Sequence, residues 1–262
     1  MTEVSELYAA EFTQPLSSEQ LNLINELCKK RLQRMPLQYV LGEWDFRDLT
    51  LKLRPPVFIP RPETEELVEM ILQYHRPRIN LHFLEVGCGS GAISLSLLHE
   101  IPQAIGIAID QSHAAVKLTE HNATRLNLHD RLTVHNIEVV DSFKIPNDIA
   151  GPYDAIISNP PYIFHDDMKD LAPEISRYED TKALHGGHDG LEVTKNILKM
   201  ARYLLKHEGS IWFECDPRHP TMIKSWLDNH PETDVKFVDV GYDFSDRARF
   251  CHLKYIPTKV KT

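Results

Sequence analysis

A glycine-rich segment, Glu85-Val-Gly-Cys-Gly-Ser-Gly91, constrains the fold of this chain more than any other stretch. It follows an apolar run over 81–86 and precedes a helical pattern over 92–98. Three glycines at alternate positions let the backbone pass close to a ligand, because no Cβ stands in the way, and the N–H groups at the start of the helix point into the same space. This order predicts a nucleotide-binding α/β unit. The residues expected to contact a cofactor here are Glu85, Gly87, Cys88, Gly89, Ser90 and Gly91.

A second buried-strand pattern, over 105–109, ends at Asp110. An acid at the end of the second strand is where sheets of this kind bind a ribose diol, so we expect Asp110 to bind the cofactor. The alternative role, a cap for the helix that begins near Ser112, is compatible with ribose binding. The glycine segment alone also fits an ordinary tight turn, because its spacing is not the G-x-G-x-x-G of dinucleotide folds.

A proline turn, Asn159-Pro-Pro-Tyr162, follows directly after another strand pattern over 153–158. Two consecutive prolines fix φ and donate no N–H, so the turn is stiff and leaves carbonyl groups unpaired. Asn159 offers an amide oxygen, Pro160 a backbone carbonyl and Tyr162 an aromatic face. Two acceptors beside a flat wall fit a planar NH2 group. We expect Asn159, Pro160 and Tyr162 to be catalytic, Pro161 to line the substrate site with them, and Asn159 to reach the cofactor as well; the alternative is a plain proline turn before a loop.

Five segments together resemble the HemK/PrmC family of N5-glutamine methyltransferases, which methylate the glutamine of the Gly-Gly-Gln motif in peptide chain release factors. The matching segments are Arg34–Tyr39, Phe58–Glu65, Glu85–Gly91, Asn159–Tyr162 and Gly186–Leu191. The resemblance runs from about residue 15 to about residue 253. It is strongest to the animal mitochondrial branch, as residues 42–46 and 216–220 indicate.

The resemblance implies a class I S-adenosylmethionine-dependent methyltransferase, an α/β fold whose mostly parallel sheet ends in an antiparallel hairpin. It implies S-adenosylmethionine as the cofactor, S-adenosylhomocysteine as the product and a release factor as the protein substrate. The loop that carries Arg61 lies over the family's active site, so Arg61 contacts cofactor or substrate, or pairs with a neighbouring acid. Glu138 is placed to hold the adenine amino group with Val139 beside it, and Asp141 is the competing candidate.

The pattern of elements predicts three parts: an N-terminal helical domain over 1–37, a hairpin and loop linker over 38–60, and a methyltransferase domain over 61–262. The helical domain is shorter than that of the family. From residue 81 onward strands alternate with helices, which predicts a mostly parallel sheet covered on both faces. The expected strands are 81–86, 104–109, 131–137, 153–158, 209–214, 235–240 and 248–255, and strands are also expected within 38–53.

The composition of the chain limits the kinds of partner that it can bind. The chain has 262 residues and a net charge of −9, which argues against a nucleic-acid surface because phosphate binding requires a basic face. The four cysteines lie far apart without metal-ligand spacing, so we expect free thiols and no metal. No run approaches ~18 apolar residues, so we expect no membrane span. We also expect a monomer.

The N-terminus bears on localisation. The first fifteen residues hold three glutamates and no arginine, unlike a transit peptide. We therefore expect that a targeting segment was removed or never existed. The expected location is intracellular and soluble, in the mitochondrial matrix by family resemblance, with the cytoplasm as the alternative.

Two other functions stay open at this point. The same proline turn suits the exocyclic NH2 of a nucleic-acid base, although such an enzyme must extrude a base and neutralise phosphates. A non-catalytic release-factor-binding module on a degenerate methyltransferase fold is the second. Residues 165–180 add an acidic segment, which is either a solvated face or a rim that attracts a basic protein substrate.

Overall fold

The alternation of strands and helices produces one seven-stranded sheet with helices on both faces in the computed structural model, which describes residues 15–75, 80–141 and 145–257. The acidic first residues, on which the localisation prediction rests, lie outside the described residues. The described helices are α1 (Ser18–Leu32), α2 (Leu37–Leu41), α3 (Pro62–His75), α4 (Ala92–Glu100), α5 (His113–Arg125), α6 (Pro173–Ser176), α7 (Glu192–Leu204) and α8 (His219–Asp228). The described strands are β1 (Glu43–Phe46), β2 (Leu49–Lys52), β3 (His82–Val86), β4 (Ile105–Asp110), β5 (Leu132–Asn136), β6 (Tyr153–Ser158), β7 (Leu205–Glu214), β8 (Val235–Tyr242) and β9 (Ala248–Tyr255).

The order of strands in the large sheet places the predicted site. The order is β5-β4-β3-β6-β7-β9-β8, in which the first five strands are parallel and β9 is antiparallel to both of its neighbours. After β3 the chain moves outward through β4 and β5, then returns to the other side of β3 to form β6. Ligands of open α/β sheets bind outside the carboxyl ends of the strands where the order reverses. The glycine segment and the proline turn both start there, and the predicted class I methyltransferase fold is confirmed.

Both faces of the central strands β3 and β6 are buried, which explains why these strands are largely apolar. In β3, Phe83 belongs to the core beneath α3 and α4, while Leu84 and Val86 belong to the core beneath α7 and α8. Side chains of a strand alternate between faces, so a strand covered by helices on both sides is largely apolar, and the buried Glu85 is an exception that has a hydrogen-bond partner. The sheet is therefore a rigid base for the loops at its carboxyl edge.

The region before the sheet differs in part from the prediction. Within the predicted helical domain, a capping box of Ser17 and Gln20 starts α1, and no residue of α1 is buried. Where strands are expected from residue 38, the chain first forms α2, because Pro36 precedes this short helix and Gly42, with φ of 76°, ends it in the left-handed conformation. The hairpin β1–β2 follows, and its Phe46 packs into the main core.

Smaller differences affect element boundaries. Strand β7 begins at Leu205 rather than at residue 209, and helix α7 ends at Leu204. The domain boundaries at 37/38 and 60/61 remain predictions. None of the described helices has the length and the apolar character needed to cross a membrane.

Candidate active site

The glycine segment forms a left-handed turn between β3 and α4. Gly89 has φ of 56°, and a Cβ added to it would meet no atom within 4 Å, so the side of the turn that faces the cavity is open backbone. Gly91 has φ of 84° and directly precedes α4, where an added Cβ would approach the Leu95 side chain to 2.9 Å. Gly89 therefore leaves room for a ligand, whereas Gly91 allows α4 to start close behind the turn.

Helix α5 supports the glycine turn from behind. Thr119 Oγ1 donates to the Gly89 carbonyl at 3.0 Å, and Asn122 Nδ2 donates to the Ser90 carbonyl at 2.9 Å. Asn122 Oδ1 in turn accepts from Lys52 N at 2.9 Å, which ties the hairpin to the same helix. Because these bonds satisfy the inner carbonyls, the turn keeps its shape without a ligand.

Glu85 joins the end of β3 to α4. Its carboxyl group accepts from Ser94 N at 3.0 Å and contacts the Ser94 hydroxyl, and the residue is 1% exposed. Burial, with a smaller contribution from the neighbouring Asp110 carboxylate, raises the pKa of Glu85 to about 8 against the hydrogen bonds from Ser94, which lower it. The neutral acid is thus the favoured form at pH 7, and Glu85 stabilises the turn from inside.

Asp110 contacts the turn from the end of β4. Its Oδ2 accepts from Gly89 N at 3.0 Å, and its Oδ1 accepts from Ser112 N at 2.8 Å. A carboxylate accepts about four hydrogen bonds, so each oxygen keeps one acceptor position that these bonds do not use, and Asp110 lines the cavity. The N-cap of α5 is Ser112, whose side chain accepts from Ala115 N. Asp110 is therefore not the cap residue, but it bonds to the residue that is.

The proline turn continues from β6 into the same space. Asn159 Nδ2 donates to Thr64 Oγ1 at 3.3 Å, and the Tyr162 hydroxyl donates to Glu214 Oε1 at 3.4 Å. A Cβ on Gly186 would come within 2.6 Å of the Pro161 carbonyl, so this glycine lets the segment over 186–191 press against the turn. The turn is thus held from two sides, and Asn159 lines the cavity.

One cavity of about 1180 Å³ unites these parts. Of the residues predicted to form the site, only Gly91 is absent from its lining. The predicted residues that line it are Arg61, Glu85, Gly87, Cys88, Gly89, Ser90, Asp110, Glu138, Val139, Asn159, Pro160, Pro161 and Tyr162. The roles assigned to them remain predictions, but the chain brings them together around one space.

Comparison with known proteins identifies the family. The family profile "PrmC N-terminal domain" matches residues 3–42, and "Methyltransferase small domain" matches residues 62–177. The human MTRF1L release factor glutamine methyltransferase is 51% identical over 255 residues, covering 95% of this chain and 75% of the human protein. The chain belongs to the release factor glutamine methyltransferase family. The predicted resemblance is confirmed, and so is the prediction that the chain is an enzyme of this class.

Other relatives agree. The release factor glutamine methyltransferase of Lactococcus lactis subsp. lactis is 33% identical over 239 residues, covering 91% of this chain and 84% of that protein. Among solved structures, a methyltransferase from Pyrococcus furiosus has a TM-score of 0.56 at 13% identity, covering 92% of this chain and all of that chain. TrmN from Thermus thermophilus has a TM-score of 0.52 at 17% identity, covering 72% and 48%. At such identities these structures show the fold alone.

Arg61 in this family member is paired. Its guanidinium bonds to Glu179 Oε1 at 2.6 Å and lies 4.6 Å above the Phe58 ring centroid. Glu179, which is almost fully buried, also accepts from Ile59 N at 3.2 Å. The acid-paired alternative for Arg61 is thus present in the structure, and the loop before α3 is fixed by a side chain far along the chain.

The adenine candidates differ in their surroundings. Asp141 forms an ion pair with Lys199. Glu138 lies just beyond β5, exposed and lining the cavity, and it makes no ion pair with the residues that the structure describes. Val139 beside it is partly buried against the core. Glu138 is therefore the acid with its carboxylate free for a ligand.

Sequence reasoning missed the polar residues that support the site. Thr64, Thr119, Asn122 and Glu214 are buried yet polar, and each bonds to the cavity wall or to a residue on it. In the sequence, Thr119 and Asn122 stand three residues apart on the inward face of α5, a signal that could have identified them. Thr64 and Glu214 carry no such signal, because their partners come from distant segments.

Proposed function

We propose that this chain transfers a methyl group from S-adenosylmethionine to the side-chain amide nitrogen of the glutamine in the Gly-Gly-Gln motif of a peptide chain release factor. The observation that supports this proposal most directly is that Asn159 and Pro160, at the end of β6, line the same cavity as the glycine turn at the end of β3. The names of the curated relatives support the same substrate.

The glycine-turn side of the cavity fits the cofactor. The open backbone at Gly89 leaves space where a Cβ would stand, and Asp110 keeps one acceptor position on each oxygen, which matches the two hydroxyls of a ribose. Glu138 is placed to accept from the adenine amino group, and Val139 packs beside it. When bound, S-adenosylmethionine supplies an electrophilic methyl group on a sulfonium.

The proline turn serves the substrate amide. A neutral amide nitrogen is a poor nucleophile, because its lone pair is delocalised into the carbonyl. Asn159 Oδ1 and the Pro160 carbonyl accept hydrogen bonds from the two N–H groups of the glutamine amide. These bonds favour an amide nitrogen whose lone pair points at the methyl carbon. Pro161 and Tyr162 hold the amide plane between apolar surfaces. Acceptors fixed in this way stabilise the positive charge that develops on the nitrogen more than they stabilise the ground state.

The matrix of mitochondria is the compartment that the resemblance to the animal mitochondrial branch favours. Fractionation of animal cells that express the full-length protein tests this assignment. Recovery with matrix proteins supports it, and recovery with cytosolic proteins contradicts it.

Labelled methyl transfer tests the substrate. The purified chain is incubated with labelled S-adenosylmethionine and a release factor, its Gly-Gly-Glu variant, or nucleic acid. We expect label in the release factor alone. Equal labelling of the Gly-Gly-Glu variant contradicts a glutamine target, and labelling of nucleic acid alone favours the base-methylating alternative.

A further inference from the structure

We propose that Glu214 and Thr64 are positioning residues that set the orientation of the Asn159 amide, so that its oxygen and not its nitrogen faces the substrate. Glu214 ends β7 and Thr64 lies in the first turn of α3, and both are almost fully buried. This inference rests on the proposed function, because it assigns a direction to the acceptor that the function requires.

The direction of the hydrogen bonds follows from proton counting. The Thr64 hydroxyl lies 2.6 Å from Glu214 Oε2, and an ionised carboxylate can only accept. The single hydroxyl proton of Thr64 therefore points to Glu214. What Thr64 Oγ1 presents to Asn159 is a lone pair.

A lone pair selects one of the two amide orientations. Asn159 Nδ2 lies 3.3 Å from Thr64 Oγ1 and can donate to it, whereas an amide oxygen there would face another acceptor. Asn159 Oδ1 accepts nothing from the described parts of the chain, so it is the free group toward the cavity. Glu214 thereby controls an acceptor that it does not touch.

The same carboxylate orients a second residue. The Tyr162 hydroxyl donates to Glu214 Oε1 at 3.4 Å, so each oxygen of Glu214 accepts from a residue that lines the cavity. Glu214 does not itself line the cavity, whereas Thr64, Asn159 and Tyr162 do. Its part is to position, without contact with the substrate.

The burial of Glu214 and the charges around it determine the pH range in which it can orient Asn159. Burial raises the pKa of Glu214 to about 7, against the Thr64 hydrogen bond and the Arg249 guanidinium, which lower it. The titratable and charged groups that face it are Glu63, Tyr162, Cys215 and Arg249. A protonated Glu214 can donate to Thr64, and the orientation of Asn159 is then no longer imposed. The ordered state therefore forms as pH rises through 7.

Isosteric variants test the inference with a release factor as substrate. Thr64→Val removes the hydroxyl and should lower kcat about ten- to a hundredfold while the Kd for S-adenosylmethionine stays within twofold. Thr64→Ser keeps the hydroxyl and should restore most of kcat. Glu214→Gln should lower kcat similarly and remove the limb of the pH profile near 7. Thr233→Val, which removes a buried hydroxyl bonded to the His230 carbonyl elsewhere, is the matched control and should leave kcat unchanged.

A second measurement needs no substrate. The side-chain NH2 signals of Asn159, assigned by their loss in Asn159→Asp, should shift with pH near 7 in the wild type and shift in Thr64→Val. Wild-type kcat in Thr64→Val, or equal loss in Thr64→Ser, overturns the inference while the proposed function stands. If the wild type methylates no release factor, the proposed function fails. NH2 signals that shift neither with pH in the wild type nor in Thr64→Val then overturn the inference separately.

Discussion

Replacing Asp110 with alanine should weaken both the cofactor site and the glycine turn. Two hydrogen bonds from ribose hydroxyls to a partly buried carboxylate contribute about 2–3 kcal/mol together, so the Kd for S-adenosylmethionine should rise roughly 30- to 150-fold. The variant also leaves Gly89 N and Ser112 N without their acceptor, which costs about 1–3 kcal/mol of stability. For a chain of this length that corresponds to a Tm lower by several degrees, about 2–4 °C per kcal/mol.

Calorimetric titration with S-adenosylmethionine and a thermal melt measure the two effects. Turnover at saturating cofactor should recover much of the wild-type value, because Asp110 does not touch the substrate amide. Asp243→Ala is the matched control: Asp243 also accepts from two backbone N–H groups, of Ser245 and Arg247, but does not line the cavity. It should lose stability with unchanged cofactor affinity. A wild-type Kd in Asp110→Ala refutes the ribose assignment and leaves only the support of the turn.

Three further predictions concern chemistry, pH and charge. Asn159→Ala should leave cofactor affinity within a few fold and lower kcat about a hundredfold or more, and near-full turnover contradicts its role as acceptor. Burial raises the pKa of Glu85 to about 8 from its ordinary 4.5, so the folded state holds the proton more tightly. The stabilisation is complete below the ordinary value and is lost as pH rises through 8, by at most about 1.4 kcal/mol per pH unit. The free energy of unfolding of Glu85→Gln, measured by denaturant titration at several pH values, should lack this loss. The same pH dependence in the wild type and in Glu85→Gln refutes the prediction. Finally, the double variant Asp166→Asn with Asp170→Asn should raise KM for the release factor at low salt only. At 1 M salt the Debye length falls to ~3 Å, so the attraction between these acids and a basic substrate is screened. An unchanged KM at low salt would show that the two acids are only a solvated face.

The acidic segment itself is less uniform than its sequence indicates. Asp167 pairs with Arg218 at 2.6 Å, and Glu174 pairs with Arg34 at 2.7 Å. Glu179 pairs with Arg61, so three of the six acids in this segment form ion pairs within the chain. The charge available to a partner is therefore smaller than the number of acids indicates. For this reason the rim prediction uses Asp166 and Asp170, which make no ion pair with the described residues.

Local patterns carried the prediction of the fold and of the ligand-facing residues. The conformations of the glycine segment and of the proline turn follow from a few consecutive residues. The alternation of strands and helices then predicts that the ends of the two preceding strands lie at the same edge of the sheet. The short helix α2 was missed, because its five residues between Pro36 and Gly42 have no helical period to read.

The support of the site could not be read in the same way. Thr64 and Glu214 are 150 residues apart, and Arg61 and Glu179 are 118 apart. Such pairs follow from packing of the whole domain, since burial of a polar side chain requires a partner wherever the fold supplies one. The sequence thus predicts the groups that meet the ligands better than those that hold them in place.

Location of the transferred methyl group tests the central claim most directly. After reaction with a release factor, fragmentation mass spectrometry of the peptide that contains Gly-Gly-Gln should place one added methyl group on the glutamine side chain. Hydrolysis of that amide should release methylamine, because the methyl group is on nitrogen. A methyl group on any other residue, or a modified peptide that releases methanol instead, contradicts the account.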